Sequence, residues 1–236
     1  MNFIEGEIFY FNKPLYWTSF DLVGKVRRMI CRHLGIKKLK VGHAGTLDPL
    51  ASGVMIVCTG RKTKLIDTFQ YQTKEYIAKL QLGATTPSYD LEHPVDKTYP
   101  TKHITGQLVD TVVSSFKGEI WQIPPTYSAV KIDGKRAYSY AREGKEIELK
   151  AKLLVIDEIE ILDFNAKLMQ LTIRVVCSKG TYIRALARDI GEALHSGAHL
   201  IELCRTRIGD VSLENCITIE QFTDLLNAEI PASQNV

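Results

Sequence analysis

The sequence predicts an α+β fold with a mixed, mainly antiparallel central sheet flanked by helices. Segments with strand and helix patterns alternate without the regular period of a βαβ protein. Two long strand patterns, KLLVIDEIEILDF and KLMQLTIRVVCSK, are joined only by Asn165 and Ala166, which is typical of antiparallel neighbours. The chain has 236 residues and no internal repeat, so we expect one domain over residues 1–227 and a short tail over 228–236.

The first half of the chain has clear local signals for each element. The segment GEIFYFNKP predicts a strand that turn-forming residues close. Thr18 and Asp21 have the spacing of a capping box, so a helix should begin after Thr18 and end at Gly35. The segments VMIVCTG and KEYIAKLQLG predict two further strands, and the β-branched apolar content of the first indicates that it is buried.

The second half contains helices separated by irregular segments. TTPSYDLEHPVDKTYPTKH predicts a long loop, and TGQLVDTVVSSFKG predicts a helix that ends near Gly118. Residues 122–150 carry prolines, glycines and tyrosines and indicate an excursion from the core. TYIRALARDIGEALHSG predicts a helix with its C-cap near Gly197, and ITIEQFTDLLN predicts a last helix.

Composition excludes several classes of protein. No apolar run is long enough to cross a bilayer, and the N-terminus lacks the basic region of a signal peptide, so we expect a cytoplasmic protein. Five scattered cysteines without a C-x-x-C pair indicate reduced thiols rather than disulfides or a zinc site. Neither a phosphate-binding loop of the G-x-x-x-x-G-K-[ST] type nor a dinucleotide fingerprint is present.

Charge is unevenly distributed along the chain. Between positions 25 and 64 basic residues cluster and Asp48 is the one acid, whereas no Lys or Arg follows Gly209. This asymmetry suggests a face turned toward a polyanion. Residues 25–32 alone are better explained as a solvated helix face, but Arg61 to Lys64 directly follow a glycine-rich loop, which favours phosphate contact.

Three residues are candidates for chemistry. Asp48 lies in VGHAGTLDPLASGV, where it could cap a turn or be presented by the loop as a catalytic group. Arg184 falls in the first turn of a predicted helix, where the helix dipole disfavours a cation, so we expect a buried carboxylate partner. Tyr76 begins a predicted strand and could be a core aromatic or a stacking platform for a base.

Several collinear segments resemble the TruB family of tRNA pseudouridine synthases. VGHAGTLDPLASGV resembles the family signature, and NKPLYWTSFDLVGKVR resembles its N-terminal KP-G-TS segment. KEYIAKLQLG, CSKGTYIRALARDIGEAL and GAHLIELCRTRIG are similar to its later motifs, and GEIWQIPPTYSAVKIDGKRAYSYAREGKEIEL is similar to its thumb segment. The resemblance runs from about Gly6 to Phe222. One departure is the loop 86–90, where the family has T-D-T-x-D.

The resemblance implies a pseudouridine synthase catalytic fold with a thumb-like insertion at about 122–150. Bacterial members of the family commonly carry a C-terminal PUA domain, and we expect this chain to depart from them in having none. It implies isomerisation of uridine 55 in the TΨC loop of tRNA, without cofactor or metal, by a monomer that uses no guide RNA and no membrane. Asp48 would be the catalytic residue, paired with Arg184. The residues that the resemblance assigns to substrate binding are Tyr76, Tyr182, Arg184, Leu203, His43 and Lys64.

Other functions are compatible with the same residues. The chain could be a non-catalytic RNA-binding or tRNA-folding protein, a guide-RNA-dependent synthase of the dyskerin group, or a synthase for another RNA uridine. Asp48 could attack C1′ of the ribose or C6 of the base, or it could remove the 2′ proton of the sugar. All three routes need one carboxylate, whereas glycoside hydrolysis commonly uses two.

Overall fold

A computed structural model describes residues 1–128, 130–132, 135–137, 140 and 148–228. The chain forms two compact units. The first consists of residues 1–74 together with the chain from Cys204 onward, and the second consists of Glu75–Leu203.

In chain order the described strands are β1 (Ile8–Lys13), β2 (Val41–His43), β3 (Ala51–Thr59), β4 (Lys74–Leu82), β5 (Ala84–Thr85), β6 (Lys97–Thr98), β7 (Gly118–Gln122), β8 (Lys131–Ile132), β9 (Lys135–Arg136), β10 (Lys152–Asn165), β11 (Gln170–Cys177), β12 (Ala198–Ile208) and β13 (Val211–Ser212). The described helices are α1 (Ser19–His33), α2 (Ile66–Tyr71), α3 (Gly106–Ser114), α4 (Ile183–Ala193) and α5 (Ile219–Ala228).

The first unit is built around β3, which is buried along nearly its whole length. β1 runs antiparallel to β3, from Ile8 opposite Cys58 to Lys13 opposite Gly53, and β2 also pairs antiparallel with β3. The end of β12 from Cys204 onward lies on the other side of β3 from β1. Phe222 of α5 packs edge-on against Phe9 and Phe11 of β1, which closes the core on that face.

The second unit contains the strand order β4-β11-β10-β7. β10 is antiparallel to both β11 and β7, with Ile156 opposite Cys177 and Gly118. The apolar residues of these strands form one core with α3 and α4, because Val109, Val113, Leu186 and Ile190 are buried there. The α+β class and the mainly antiparallel sheet are therefore confirmed.

Most of the local predictions are confirmed. α1 begins after Thr18 with the predicted capping box: the Thr18 side chain accepts from the Asp21 N–H, and the Asp21 carboxylate accepts from the Thr18 N–H at 2.8 Å. The predicted strands, the antiparallel pairing of β10 with β11, α3 and α5 are all present.

Two local predictions are wrong, and one strand was not predicted. α4 ends at Ala193, and the left-handed residue after it is His195 with φ of 51°, so Gly197 is not its C-cap. Gly197 instead leaves no room for a side chain, since a Cβ there would lie 2.5 Å from the Tyr99 ring. The long loop is interrupted by β6, which pairs with β5. No strand was expected over GAHLIELCRTRIG, yet this segment forms β12.

The remaining expectations concern sulfur, the membrane and the excursion. All five cysteines are free thiols, and Cys58 and Cys177 are buried. Among the described helices, none combines the length and the apolar character that a membrane span requires.

In the excursion at 122–150, β8 is antiparallel to β9. Residues 129, 133, 134, 138, 139 and 141–147 of the expected thumb lie outside the described residues, as does the tail from 229 onward.

Candidate active site

Asp48 is presented by the loop between β2 and β3 of the first unit, where it is half-buried. Its own carbonyl accepts a hydrogen bond from the Ala51 N–H at 3.1 Å, which closes a turn at Pro49. The preceding residue, Leu47, is buried and exchanges two hydrogen bonds with the hydroxyl of Ser19 at the start of α1, at 2.9 and 3.0 Å. The loop is therefore anchored on α1 directly beside the carboxylate.

A buried arginine holds the same loop from the inside. Arg205 of β12 is 1% exposed, and its guanidinium donates to the carbonyls of Gly45 at 3.2 Å, Thr46 at 3.3 Å and Val54 at 2.8 Å. These carbonyls lie on both sides of Asp48 in the sequence, so one side chain joins the two arms of the loop. A cation bonded to several carbonyls is a strong interaction because the donor is charged.

Gly53 allows β3 to approach Arg205 closely. Its φ is +111°, and a Cβ at this position would lie 2.2 Å from the carbonyl oxygen of Arg205. Any side chain would therefore both strain the backbone and push β12 away. Gly53 thus permits the close contact between β3 and β12 from which Arg205 holds the loop.

A second buried cation lies near the loop. Lys13, at the end of β1, is 0% exposed, and its ammonium donates to the carbonyls of Pro14 at 2.8 Å and Trp17 at 2.7 Å. Burial lowers the pKa of Lys13 to about 8; the Asp48 carboxylate opposes this shift and the Arg205 guanidinium adds to it. Asp48 is thus placed within the electrostatic range of one fixed cation, Lys13.

His43 and Lys64, the two predicted RNA contacts of this unit, differ in exposure. His43 is half-buried, and burial lowers its pKa, so the imidazole is neutral at pH 7. Lys64 is exposed in a 3-10 turn, Gly60–Leu65. The neighbouring Arg61 and Lys62 pair with Glu5 at 2.9 Å and Glu7 at 3.9 Å. These pairs reduce the charge that this cluster offers to phosphate, although such exposed pairs are weak.

Arg184 lies in the first turn of α4 in the second unit and is 5% exposed. Its guanidinium lies 3.6 Å from the carboxylate of Asp90, which is also 5% exposed, and donates to the carbonyls of Ser88 at 3.1 Å and Tyr127 at 2.9 Å. The expected buried carboxylate partner is thus confirmed as Asp90. The pairing of Arg184 with Asp48, implied by the family resemblance, stays a prediction.

The loop 86–90, which departs from the family pattern, is what supplies Asp90. The Thr86 hydroxyl donates to the Asp90 carbonyl at 2.6 Å, and the Asp90 carboxylate accepts from the Glu92 N–H at 3.0 Å. Thr86, Ser88 and Asp90 are all buried. The altered loop therefore closes on itself and turns a carboxylate toward Arg184.

The other predicted substrate contacts also belong to the second unit. Tyr76 on β4 and Leu203 on β12 are partly buried and pack against the same apolar core. Tyr182 is the N-cap residue of α4, where its N–H donates to the Gln122 side chain at 2.9 Å. Tyr182 and Arg184 therefore share the start of one helix.

Sequence reasoning missed Lys13, Asp90 and Arg205. Each is a charged residue within an otherwise apolar or turn-forming run, and that contrast is the signal that could have found them. In the described part of the chain, no group of three His, Cys, Asp or Glu residues could hold a metal ion.

Family models match most of the chain. Residues 31–183 match the TruB family pseudouridylate synthase N-terminal domain, and residues 184–234 match the tRNA pseudouridylate synthase B C-terminal domain. The protein named tRNA pseudouridine synthase B from Phocaeicola vulgatus is 66% identical over 229 residues, which cover 97% of each chain. The protein of that name from Flavobacterium johnsoniae is 48% identical over 225 residues, which cover 95% of this chain and 97% of the relative.

Solved structures share the fold at lower identity. A chain in the crystal structure of a Cbf5-Nop10-Gar1 complex is 29% identical, with a TM-score of 0.68 over 94% of this chain and 54% of that chain. A chain in the structure of an H/ACA RNP bound to a substrate RNA containing 2′-deoxyuridine is 27% identical, with a TM-score of 0.66 over 94% and 53%. This chain thus spans about half the length of those two.

Proposed function

Because this chain belongs to the TruB family of pseudouridylate synthases, we propose that it isomerises uridine 55 in the TΨC loop of tRNA, with Asp48 as the catalytic carboxylate. The activity of a tRNA pseudouridine synthase, an isomerase, follows from the family. The observation that carries the proposal is the 66% identity to a tRNA pseudouridine synthase B across 97% of both chains. The choice of Asp48 is supported by the anchored loop that presents it.

The reaction rearranges one glycosidic bond. The N1–C1′ bond of uridine breaks, the uracil turns, a C5–C1′ bond forms, and the C5 proton is lost while N1 gains one, so the atoms balance without water. Since the target base is part of a folded loop, it must leave the stack at a cost of a few kcal/mol. Stacking on Tyr76 would return about 1–3 kcal/mol.

The fixed position of Asp48 is what such a reaction requires. Attack at C1′, attack at C6 and removal of the 2′ proton all need the carboxylate within bonding distance of one nucleotide, and orientation supplies much of the rate. The bonds from Arg205 and Ser19 hold the loop backbone on both sides of Asp48. The anchored loop therefore keeps the carboxylate in a position from which it can react with one nucleotide.

The T stem-loop is proposed as the part of tRNA that is bound. Exposed cations follow the start of α1 and continue toward β2, where they can neutralise phosphates of a short RNA hairpin. They are Arg27, Arg28, Arg32, Lys37, Lys38 and Lys40. His43 and Lys64 are proposed to contact the loop of that hairpin, and Tyr182 and Leu203 to line the pocket for the base.

Identity values favour this function over a guide-RNA-dependent synthase. The chain is 66% identical to a bacterial tRNA pseudouridine synthase B but 27–29% identical to the chains of the H/ACA and Cbf5-Nop10-Gar1 structures. We therefore propose that it acts on tRNA as a monomer and without a guide RNA. A pure RNA-binding protein would have no need for a carboxylate on a loop whose backbone is held on both sides by hydrogen bonds.

The test is to incubate the protein with an unmodified tRNA transcript and to map pseudouridine at nucleotide resolution. We expect one pseudouridine, at position 55. Asp48→Asn should abolish it while RNA affinity stays within about threefold, because a lost neutral contact costs about 0.6 kcal/mol. The matched control is Asp67→Asn, an exposed carboxylate on α2, which should keep full activity. Pseudouridine at another position would refute the target, and turnover by Asp48→Asn would refute the catalytic role.

A further inference from the structure

Two exposed aromatic side chains flank the Asp48 loop without a part in the chemistry described above. Tyr16 is 78% exposed and Phe20 is 77% exposed. Both lie in the segment from Leu15 to Phe20, here named the aromatic ledge. Singly exposed apolar side chains are ordinary, so the evidence for binding lies in how these two rings are placed beside the Asp48 loop.

The backbone of the aromatic ledge is strained and tied to the catalytic loop. Tyr16 has φ of 66°, a left-handed conformation that bulky residues avoid. It is held there by a hydrogen bond from its N–H to the carbonyl of Pro49, 2.7 Å away, and Pro49 directly follows Asp48. Strain of this kind persists where the surrounding structure enforces it, and it is frequent at functional sites.

Phe20 is fixed to the same loop by a second route. Its neighbour Ser19 exchanges hydrogen bonds with Leu47, the residue before Asp48. The Phe20 ring stands edge-on to the ring of His43, with centroids 6.1 Å apart and an angle of 87° between the planes. Tyr16 itself and Ser19, the neighbour of Phe20, are therefore hydrogen-bonded to the loop backbone on either side of Asp48.

Charge indicates what the aromatic ledge binds. Arg27 follows Phe20 by seven residues, which places it two turns along the same face of α1, and it is exposed. Aromatic faces beside exposed cations are the combination that binds single-stranded nucleic acid, since the rings stack on bases and the cations meet phosphates. A lipid surface would need a larger apolar area, and Asp21 with the polar Thr18 interrupts it here.

We propose that Tyr16 and Phe20 form a second base-binding site, which takes an unpaired nucleobase of the RNA loop other than the target uridine. The inference rests on the proposed function, since it needs the RNA loop to lie over Asp48. When one base leaves the stack of a small loop, its neighbours lose a stacking partner and can be splayed out. The aromatic ledge offers such a neighbour a new stacking surface beside the reacting nucleotide.

The test measures equilibrium binding of the full chain to a T-arm hairpin made with pseudouridine already at the target position, so that no reaction proceeds. Tyr16→Gly should weaken binding about five- to a hundredfold, the range for loss of one base stack. Its melting temperature should not fall, because glycine adopts φ of 66° without strain. Tyr16→Phe keeps a ring and should bind within twofold of the wild type. Phe20→Ala should weaken binding like Tyr16→Gly, and Phe20→Tyr should not.

Hairpins with one abasic nucleotide identify the bound base. An abasic nucleotide at one non-target position should weaken binding to the wild-type protein. Tyr16→Gly should bind this abasic hairpin as tightly as it binds the intact hairpin. The inference is overturned if both Tyr16→Gly and Phe20→Ala bind the hairpin within twofold of the wild type. It is also overturned if the abasic nucleotide lowers the affinity of the wild type and of Tyr16→Gly by the same factor. A wild-type protein that does not bind the hairpin would instead count against the proposed function, which the pseudouridine map tests separately.

Discussion

Replacing Arg184 by methionine should leave the Asp90 carboxylate buried without its cation. Both residues are 5% exposed, and the guanidinium lies 3.6 Å from the carboxylate. Removal of one partner of a buried ion pair costs about 3–5 kcal/mol, because the remaining charge stays out of water. The bonds to Ser88 and Tyr127, at 3.1 and 2.9 Å, are lost in the same step, so we expect the upper part of this range.

The pair is best separated from other effects by a double-mutant cycle. Arg184→Met with Asp90→Asn removes the stranded charge, so the double variant should recover about 2 kcal/mol of the single variant's loss. The matched control is Arg174→Met in the same unit: Arg174 contacts Glu75 and Glu158 at 2.8 Å, but its side chain is 28% exposed. Its removal should cost no more than about 1 kcal/mol.

The assay is urea unfolding at pH 7, extrapolated linearly to water, with the slope m compared between variants. A loss below about 1 kcal/mol in Arg184→Met, or strictly additive effects in the cycle, would refute the stabilising pair. Pseudouridine formation measured on the same preparations should also fall in Arg184→Met. If Arg184→Met is destabilised but keeps the wild-type rate, Arg184 stabilises the fold and has no part in catalysis.

Three further predictions concern single residues. Gly53→Ala should destabilise the protein by at least about 2 kcal/mol in thermal unfolding, because its Cβ would lie 2.2 Å from the Arg205 carbonyl oxygen. The control Gly106→Ala has open space around the new Cβ and should not destabilise the protein. Equal melting temperatures of the two variants would contradict this prediction. Burial lowers the pKa of Lys13 from 10.5 to about 8, so between these pH values the unfolded chain holds a proton that the folded protein has released. The free energy of unfolding should therefore rise from pH 8 to pH 10.5 by about 3 kcal/mol more in wild type than in Lys13→Met. Parallel pH profiles of the two proteins would contradict the lowered pKa. Tyr76→Leu should lower the single-turnover rate far more than RNA affinity, which comes mainly from phosphates, while Tyr76→Phe keeps the rate; a loss confined to the dissociation constant would argue against stacking.

The sequence by itself determined the elements whose signals lie within a few residues. The capping box of Thr18 and Asp21 predicts the start of α1 because both partners lie in one helical turn. The alternation in β10 and β11, with a short connection, predicts their antiparallel pairing. The position of Arg184 in a first helical turn was enough to predict a buried carboxylate near it, since the helix dipole acts locally.

Only the tertiary structure decided which distant residues meet. Nothing local in the sequence pairs Arg205 with Gly45 and Val54, or Arg184 with Asp90, because those contacts form only when remote strands and loops pack together. β12 escaped prediction because its buried and exposed positions do not alternate, so no period of two marks it as a strand. Gly197 reads as a helix cap but is a glycine because the Tyr99 ring fills the space of a side chain. The start of a helix depends on residues within one turn of the chain. The partner of a buried charge depends on which remote segments the fold packs around that charge.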